Sequence, residues 1–196
     1  MILYHGTTVK IEKELCPHKA FKRDDYKTWV HLSKDKTMAL LYAVNPIRAF
    51  YNDDNNKKGI PAFSVHFQHN VKHGQPIKVY EIYEGFFEEL FNRKAYIYVA
   101  DVSKSDFDKI DGFEVMVAKN VPIQNTLYIE NVYGMLKKLE QTNVIDIVSC
   151  EKLPYDFLYD HISTKISKIE TQYEADFYLQ KFPQYKDDIP KAFRKQ

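Results

Sequence analysis

Apolar and polar residues alternate in several short segments of this chain, and a period of two is typical of half-buried β-strands. The alternation is clearest in four segments, which are residues 63–67, 78–84, 96–101 and 114–118. Shorter apolar runs at residues 2–4 and 29–32 predict two further strands nearer the N-terminus. Short strands separated by loops and short helices favour an α+β fold over a doubly wound parallel sheet.

Helical segments are expected between and after these strands. Residues 37–44 form an apolar helical stretch, which we expect Ser33 to cap and Pro46 to end. A helical turn is also expected around residues 11–15. The later elements are predicted as a helix at 132–141, a last strand at 144–148 and a long helical stretch at 155–180.

The length of 196 residues fits one domain, or one domain with a helical appendage. We therefore expect one domain over residues 1–150 and a helical extension over residues 151–182. Residues 183–196 carry two prolines and many charges, so a frayed tail is expected there.

The composition indicates a folded protein without a strong electrostatic preference. Hydrophobic residues make up 44% of the chain, and 28 basic residues balance 27 acidic ones. This balance gives no overall attraction to nucleic acid or to a membrane surface. Because no signal peptide or membrane-spanning run is evident, a cytoplasmic protein is expected, with Cys16 and Cys150 as free thiols.

Three histidines, at positions 66, 69 and 73, are spaced closely enough to suggest a metal site. However, His66 and His69 are separated by an odd number of residues, so on a strand they point to opposite faces. No cysteine or carboxylate lies nearby to complete a tetrahedral site. We therefore expect solvent-facing histidines and no metal.

The chemically most informative segment begins with a predicted strand that ends in His5, Gly6 and Thr7. The imidazole of His5 would lie at the end of the strand, where it can hydrogen-bond a ribose hydroxyl. Gly6 has no side chain, so a planar carboxamide can approach its main-chain groups. A simple turn is the alternative interpretation of these three residues.

A second segment combines an aromatic strand with the helix that follows it. His31 lies in the strand, and Tyr42 follows 11 residues later, in the third turn of the predicted helix. The flat ring of Tyr42 can stack on a nicotinamide or on another planar group. Alternatively, Tyr42 belongs with Met38 and Leu41 to the buried stripe of the helix.

Together these segments resemble the diphtheria-toxin and poly(ADP-ribose)-polymerase branch of the ADP-ribosyltransferase superfamily, the His-Tyr-Glu type. His5 and Gly6 match its first motif, and the 11-residue step to Tyr42 matches the second. His31 stands where that branch usually has tyrosine, and Ala39 stands where a small hydroxyl residue is common.

The third motif of that branch is a glutamate at the start of a late strand. Glu114 is the best placed residue, because it opens an alternating strand that is followed by Pro122. Glu81 and Glu84 are alternatives on an earlier predicted strand.

The resemblance implies a split antiparallel sheet and an enzyme that consumes NAD as a substrate, as an ADP-ribosyltransferase or an NAD glycohydrolase. Glu114 would stabilise the oxocarbenium-like transition state when the nicotinamide–ribose bond breaks. His5 would hold the adenosine-side ribose, and Tyr42 and His31 would sandwich the nicotinamide. The complete set implied for NAD binding is His5, Gly6, Thr7, His31 and Tyr42.

Several alternatives remain open at this point. The acceptor of the ADP-ribose is a protein side chain, a nucleic acid or water. An RNA 2′-phosphotransferase shares the fold but would need several arginines around the site, and this chain has few. A non-catalytic domain that binds a nucleotide or a protein partner on the same fold is another possibility, and an unrelated α+β interaction protein is the third.

Overall fold

The structure, a computed structural model, describes residues 1–18, 28–45, 65–68 and 75–193. The chain is mixed α+β with mostly antiparallel strands, as the sequence predicted. It divides into two compact units, residues 1–45 with 93–132 and residues 46–92 with 133–196. This division differs from the predicted boundaries at 150 and 182, because the middle of the chain clusters with the C-terminal residues.

The first unit is built on a six-stranded antiparallel sheet. In spatial order its strands are β10 (Asn125–Ile129), β6 (Ala95–Asp101), β1 (Ile2–Thr7), β3 (Val30–Ser33), β8 (Glu114–Val117) and β7 (Lys109–Asp111). β1 pairs with β6 over its whole length, whereas one register pair, Tyr4 opposite Ser33, joins it to β3. The two halves of the sheet therefore part immediately beyond that pair.

One face of this sheet carries the hydrophobic core of the first unit. Leu3, Leu32, Tyr98 and Val115 are all at most 2% exposed and belong to one cluster. The short strands β2 (Glu14–Leu15) and β9 (Val121–Pro122) pair with each other and add their apolar side chains to the cluster. We call this side of the sheet the core face.

Helix α1 (Lys36–Ala43) packs on the opposite side, which we call the helix face. Its N-cap is Asp35, whose carboxylate accepts the N–H groups of Thr37 at 2.6 Å and Met38 at 3.2 Å. The prediction that Ser33 caps the helix is wrong. The Ser33 hydroxyl instead bonds to the main chain of Asp35 and shapes the turn before the helix.

Gly6 lies where α1 crosses β1. A Cβ atom at this position would be 1.9 Å from the carbonyl oxygen of Ala39 and 2.9 Å from the Cβ of Ala43. Glycine is therefore required here by the close approach of the helix, which fixes where α1 lies on the sheet.

The second unit contains a smaller sheet with the order β11 (Ile145–Val148), β5 (Ile77–Tyr80) and β4 (His66–Phe67). β5 and β11 are parallel, and β4 is antiparallel to β5. The remaining helices of the described chain are α2 (Phe86–Phe91), α3 (Val132–Gln141), α4 (Tyr155–Ile166) and α5 (Gln172–Lys181). α2 contributes four nearly inaccessible side chains, Phe86, Phe87, Leu90 and Phe91, to an aromatic-rich core.

Several predicted elements differ from those observed. The helical turn expected at residues 11–15 is strand β2, and the strand expected over residues 78–84 ends at Tyr80. The stretch at 155–180 is two helices, because Thr171 and Glu174 form a capping box that starts α5. Of the strand predicted at 63–67, residues 63 and 64 lie outside the described residues.

The C-terminal residues up to 193 are packed rather than frayed. Tyr185 is 1% exposed and Ile189 is fully buried, and two short 3₁₀ turns lie at Pro183–Tyr185 and Lys191–Phe193. The Tyr185 hydroxyl also donates to the carbonyl oxygen of Tyr155 at 3.2 Å. The prediction of a frayed tail over 183–196 is therefore wrong for this part, because its apolar side chains join the core of the second unit.

Cys16 and Cys150 are both free thiols, as predicted. Within the described ranges, none of the helices has the length and apolar character that crossing a membrane requires.

Replacing Gly6 with alanine tests the close approach of α1. We expect Gly6→Ala to lower the free energy of unfolding by about 3 kcal/mol, because the new methyl group meets main-chain atoms of Ala39. Gly112→Ala is the matched control: nothing lies within 4 Å of its Cβ, and its φ of +57° costs about 1 kcal/mol. Urea unfolding measures both values, and equal losses would contradict the close approach.

Candidate active site

His31 and Glu114 come together because their strands are neighbours in the sheet. β3 and β8 pair with His31 opposite Met116 and with Ser33 opposite Glu114. His31 and Glu114 therefore share the helix face as diagonal neighbours, a spacing that long side chains can bridge. The Nδ1 atom of His31 lies 2.6 Å from Oε1 of Glu114, a charge-assisted hydrogen bond.

This bond fixes the tautomer of His31. An ionised carboxylate can only accept, so Nδ1 of His31 carries the proton and donates it to Glu114. In the neutral ring the lone pair is then on Nε2. That atom is buried and has no hydrogen-bond partner among the residues that the structure describes.

His5, on the neighbouring strand β1, is hydrogen-bonded to the main chain of His31. Its Nδ1 lies 2.8 Å from the main-chain oxygen of His31, and because a carbonyl only accepts, Nδ1 of His5 carries the proton. Burial lowers the pKa of His5; the bond to His31 opposes this, and the charges of His18 and His31 add to it. His5 is therefore neutral at neutral pH, with a lone pair on Nε2 that can accept from a hydroxyl.

Tyr42 lies beside Glu114. Its ring stacks on that of Phe113, with centroids 5.9 Å apart and planes inclined by 27°. Partial burial and the negative charge of Glu114 raise the pKa of Tyr42 to about 12, so the hydroxyl stays protonated. Tyr42 is nevertheless 52% exposed, whereas Met38 and Leu41 are buried, so it does not belong to the buried stripe of α1.

Gly6 and Thr7 serve local structure in this conformation. The side of Gly6 that lacks a Cβ faces α1, so the glycine admits the helix there and not a ligand. The Thr7 hydroxyl accepts the N–H of Val9 at 3.1 Å and closes the turn after β1. The register of the two strands pairs no residue of β3 with Gly6, so its main-chain edge borders the gap where β1 and β3 part.

Two aromatic residues near this site were not foreseen from the sequence. His18 and Trp29 exchange main-chain hydrogen bonds of 3.0 and 3.1 Å, which bring the ring of His18 to 5.8 Å from that of His31. The His18 ring is also 6.5 Å from that of His5, and the Trp29 ring meets His31 edge-on at 6.4 Å. A single histidine in an irregular segment has no spacing that would have revealed it.

The alternative glutamates, Glu81 and Glu84, belong to the second unit. Glu81 accepts the N–H of Phe87 at 3.2 Å, and burial is the main cause that raises its pKa. Within the described part of the chain, Glu114 is the candidate glutamate that contacts another predicted site residue.

No group of three or more side chains that could hold a metal ion is found among the described residues, which include His66 of the histidine cluster. The prediction that His66 faces solvent is wrong. Its Nδ1 lies 3.2 Å from Nε2 of His161 on α4, and burial, followed by the charges of His161 and Lys165, lowers its pKa to about 4. His69 and His73 lie outside the described residues.

The second unit has a cleft of about 480 Å³ that lies beside Tyr83, Cys150 and Lys181. Burial and the charge of Glu81 raise the pKa of the Cys150 thiol, which makes it a poor nucleophile. Lys181 is paired with Glu89 and lies 4.7 Å from the centre of the Tyr83 ring. This cleft therefore contains no activated group comparable to the His31–Glu114 pair.

A search of protein-family models, curated proteins and solved structures found no match to this chain. Its function must therefore be argued from the geometry of the first unit, where His5, His31, Glu114 and Tyr42 are linked by hydrogen bonds and by charge.

The lowered pKa values of His5 and His66 predict how the free energy of unfolding depends on pH. Unfolded histidine takes up a proton as pH falls through about 6.5, whereas folded His5 resists protonation, so stability falls as pH decreases below that value. The contribution of His5 is at most about 1.4 kcal/mol per pH unit. We expect His5→Asn, whose amide can still donate to His31, to make the free energy of unfolding less dependent on pH between 7 and 5. Urea unfolding at several pH values measures this dependence.

His66→Asn provides the comparison in the second unit, and we expect its flattening to extend down to about pH 4. If neither variant changes the slope, then the two imidazoles are not held neutral as the structure implies.

Proposed function

We propose that the first unit is an ADP-ribosyltransferase-like domain that binds NAD⁺ and cleaves its nicotinamide–ribose bond, passing ADP-ribose to an acceptor. The observation that carries this proposal is the Glu114 carboxylate, held 2.6 Å from His31 and close enough to Tyr42 for its charge to raise the pKa of that tyrosine. A fixed carboxylate can stabilise the positive charge that develops on the ribose, and an exposed aromatic ring can stack on the nicotinamide.

Glu114 would act on the developing positive charge. As the bond to nicotinamide breaks, the ribose becomes oxocarbenium-like, and a preorganised carboxylate stabilises that charge without having to reorganise. The hydrogen bond from His31 holds one carboxylate oxygen in place, and a carboxylate can accept at both oxygens. We expect Glu114, oriented in this way by His31, to act on the ribose.

The exposure of Tyr42 and the tautomer of His5 suggest how each would bind NAD⁺. Tyr42 offers a half-exposed ring on which the nicotinamide can stack. Neutral His5 offers a lone pair on Nε2, which suits a ribose hydroxyl as donor. The main-chain edge of Gly6, at the gap between β1 and β3, suits the carboxamide.

The architecture of the first unit is compatible with this proposal. The resemblance implied a split antiparallel sheet, and the six-stranded sheet is joined between β1 and β3 by one register pair. We expect the nucleotide to bind at the gap where these strands part, with α1 beside it.

A second candidate is a nucleotide-binding domain on the same fold that does not cleave its ligand. It is favoured by the presence of His31 in the position where tyrosine is usual, since its ring is only 18% exposed and is already bonded to Glu114. The two candidates differ in turnover but not in binding.

NAD⁺ cleavage tests the first candidate. We expect purified protein to release nicotinamide from NAD⁺, and Glu114→Gln to reduce the rate by about 10²–10³-fold, because the charge that stabilises the transition state is lost. Glu130→Gln is the matched control: it makes the same change at an exposed glutamate of the first unit and should leave the rate unchanged.

Nicotinamide release can be followed by liquid chromatography, with and without cell lysate as a source of acceptor. Binding of NAD⁺ by calorimetry without release would favour the non-catalytic candidate. The absence of both binding and release would contradict both candidates.

The stacking role of Tyr42 can be tested separately through affinity. We expect Tyr42→Ala to weaken NAD⁺ binding by about tenfold, because one aromatic contact is worth about 0.5–1.5 kcal/mol beyond its buried area. Tyr42→Phe keeps the ring and should bind like the wild type. Calorimetry on catalytically inactive Glu114→Gln protein measures both affinities, and equal losses in the two variants would show that the hydroxyl matters and the ring does not.

A further inference from the structure

The His31–Glu114 pair has the geometry of a base and its orienting carboxylate. Glu114 accepts from Nδ1 at 2.6 Å, so the lone pair of an unprotonated His31 ring is on Nε2. Nε2 is buried and has no hydrogen-bond partner within the described residues. A carboxylate that holds an imidazole by one nitrogen and leaves the other to accept a proton is the arrangement found where histidine activates a nucleophile.

The rings of Tyr42 and His31, both near Glu114, differ in how far they are exposed to solvent, and this suggests different roles. Tyr42 is 52% exposed and suits stacking, whereas the side chain of His31 is 18% exposed and has the rings of His18 and Trp29 at 5.8 and 6.4 Å. His31 is therefore poorly placed to present a flat face to the nicotinamide. Its remaining chemical capacity is the lone pair of Nε2.

We propose that His31 is the general base of the reaction and that the acceptor of the ADP-ribose is an O–H group, either water or the hydroxyl of a macromolecule. This inference rests on the proposed function of the first unit. A carboxylate is deprotonated at neutral pH and a thiol is partly deprotonated, so both need a base less than water or an alcohol, which must lose its proton as it attacks.

The step balances without any further reactant. The acceptor oxygen forms a bond to the anomeric carbon of the nicotinamide-side ribose, and its proton passes to Nε2 of His31. The bond from that carbon to the nicotinamide nitrogen breaks, and its electron pair neutralises the pyridinium. The imidazolium is stabilised by Glu114 through Nδ1 and then loses its proton to solvent. The products are nicotinamide, the O-linked ADP-ribose and one proton.

Nε2 of His31 is closed off from solvent in this conformation. Because the atom is not in contact with water, the acceptor must displace a neighbouring side chain, and His18 and Trp29 are the aromatic neighbours there.

The test compares three substitutions at position 31 in the full chain. His31→Tyr keeps an aromatic ring without the base, His31→Gln keeps an amide donor toward Glu114, and His31→Ala leaves a cavity. We expect all three to bind NAD⁺ within a few-fold of the wild type by calorimetry, and to lose about 10²–10⁴-fold in the rate of nicotinamide release. Added imidazole should restore part of the rate of His31→Ala but none of the rate of Glu114→Gln.

Two results would overturn the inference while leaving the proposed function intact. If His31→Tyr keeps wild-type turnover, position 31 supplies a ring and not a base. If all variants bind NAD⁺ but imidazole leaves His31→Ala unchanged, the role of His31 is structural. Failure of the wild type to bind or cleave NAD⁺ would instead remove the proposed function itself, and the inference with it.

The products identify the acceptor class. Free ADP-ribose indicates water, and label from radioactive NAD⁺ in the protein or nucleic-acid fraction of a lysate indicates a macromolecular hydroxyl. An O-glycosidic product should resist neutral hydroxylamine, whereas an ester to a carboxylate is cleaved by it. Loss of the label under that treatment would contradict an O–H acceptor. Circular dichroism and melting curves of each variant show whether a lost activity reflects unfolding.

Discussion

The register of β3 against β8 is the constraint on which the candidate site depends. With Ser33 opposite Glu114, His31 lies diagonally across from the carboxylate on the helix face, and its Nδ1 can donate to it. A slip of one residue would turn every side chain of β8 to the other face and place Glu114 toward the apolar core. Val115 and Val117 are fully buried on the core face, so burying them fixes the register.

The second constraint is the crossing of α1 over β1. Gly6 lets the carbonyl of Ala39 lie where a side chain would otherwise be, and Tyr42 follows three residues later in the same helix. The sheet register therefore positions Glu114, and the helix crossing positions the ring beside it. The hydrogen bond from His5 to the main chain of His31 links the two strands beyond the point where they part. Backbone packing, rather than loop structure, thus assembles the residues of the site.

The local sequence pattern predicted the strands and helices that have a clear period. It could not predict features that depend on tertiary contacts. The alternation around β6 and β8 predicted those strands, and Val132–Gln141 was predicted with its observed bounds. The cap at Asp35 could not be distinguished from one at Ser33, because both residues are good caps two positions apart. Short motifs suggested His5, His31 and Glu114 as candidates, and the structure brings them together through hydrogen bonds. The proximity of His18 depends on a long-range pairing with Trp29 that no local spacing reveals.

We expect NAD⁺ to bind in the first unit at the gap where β1 and β3 part, next to Glu114 and Tyr42. The most direct measurement follows the histidine side-chain NMR signals of inactive Glu114→Gln protein during titration with NAD⁺. We expect the signals of His5 and His31 to shift together as NAD⁺ saturates the protein, whereas those of His66 and His161, the bonded pair in the second unit, stay in place. Shifts confined to His66 and His161, or no shift at all, would contradict it.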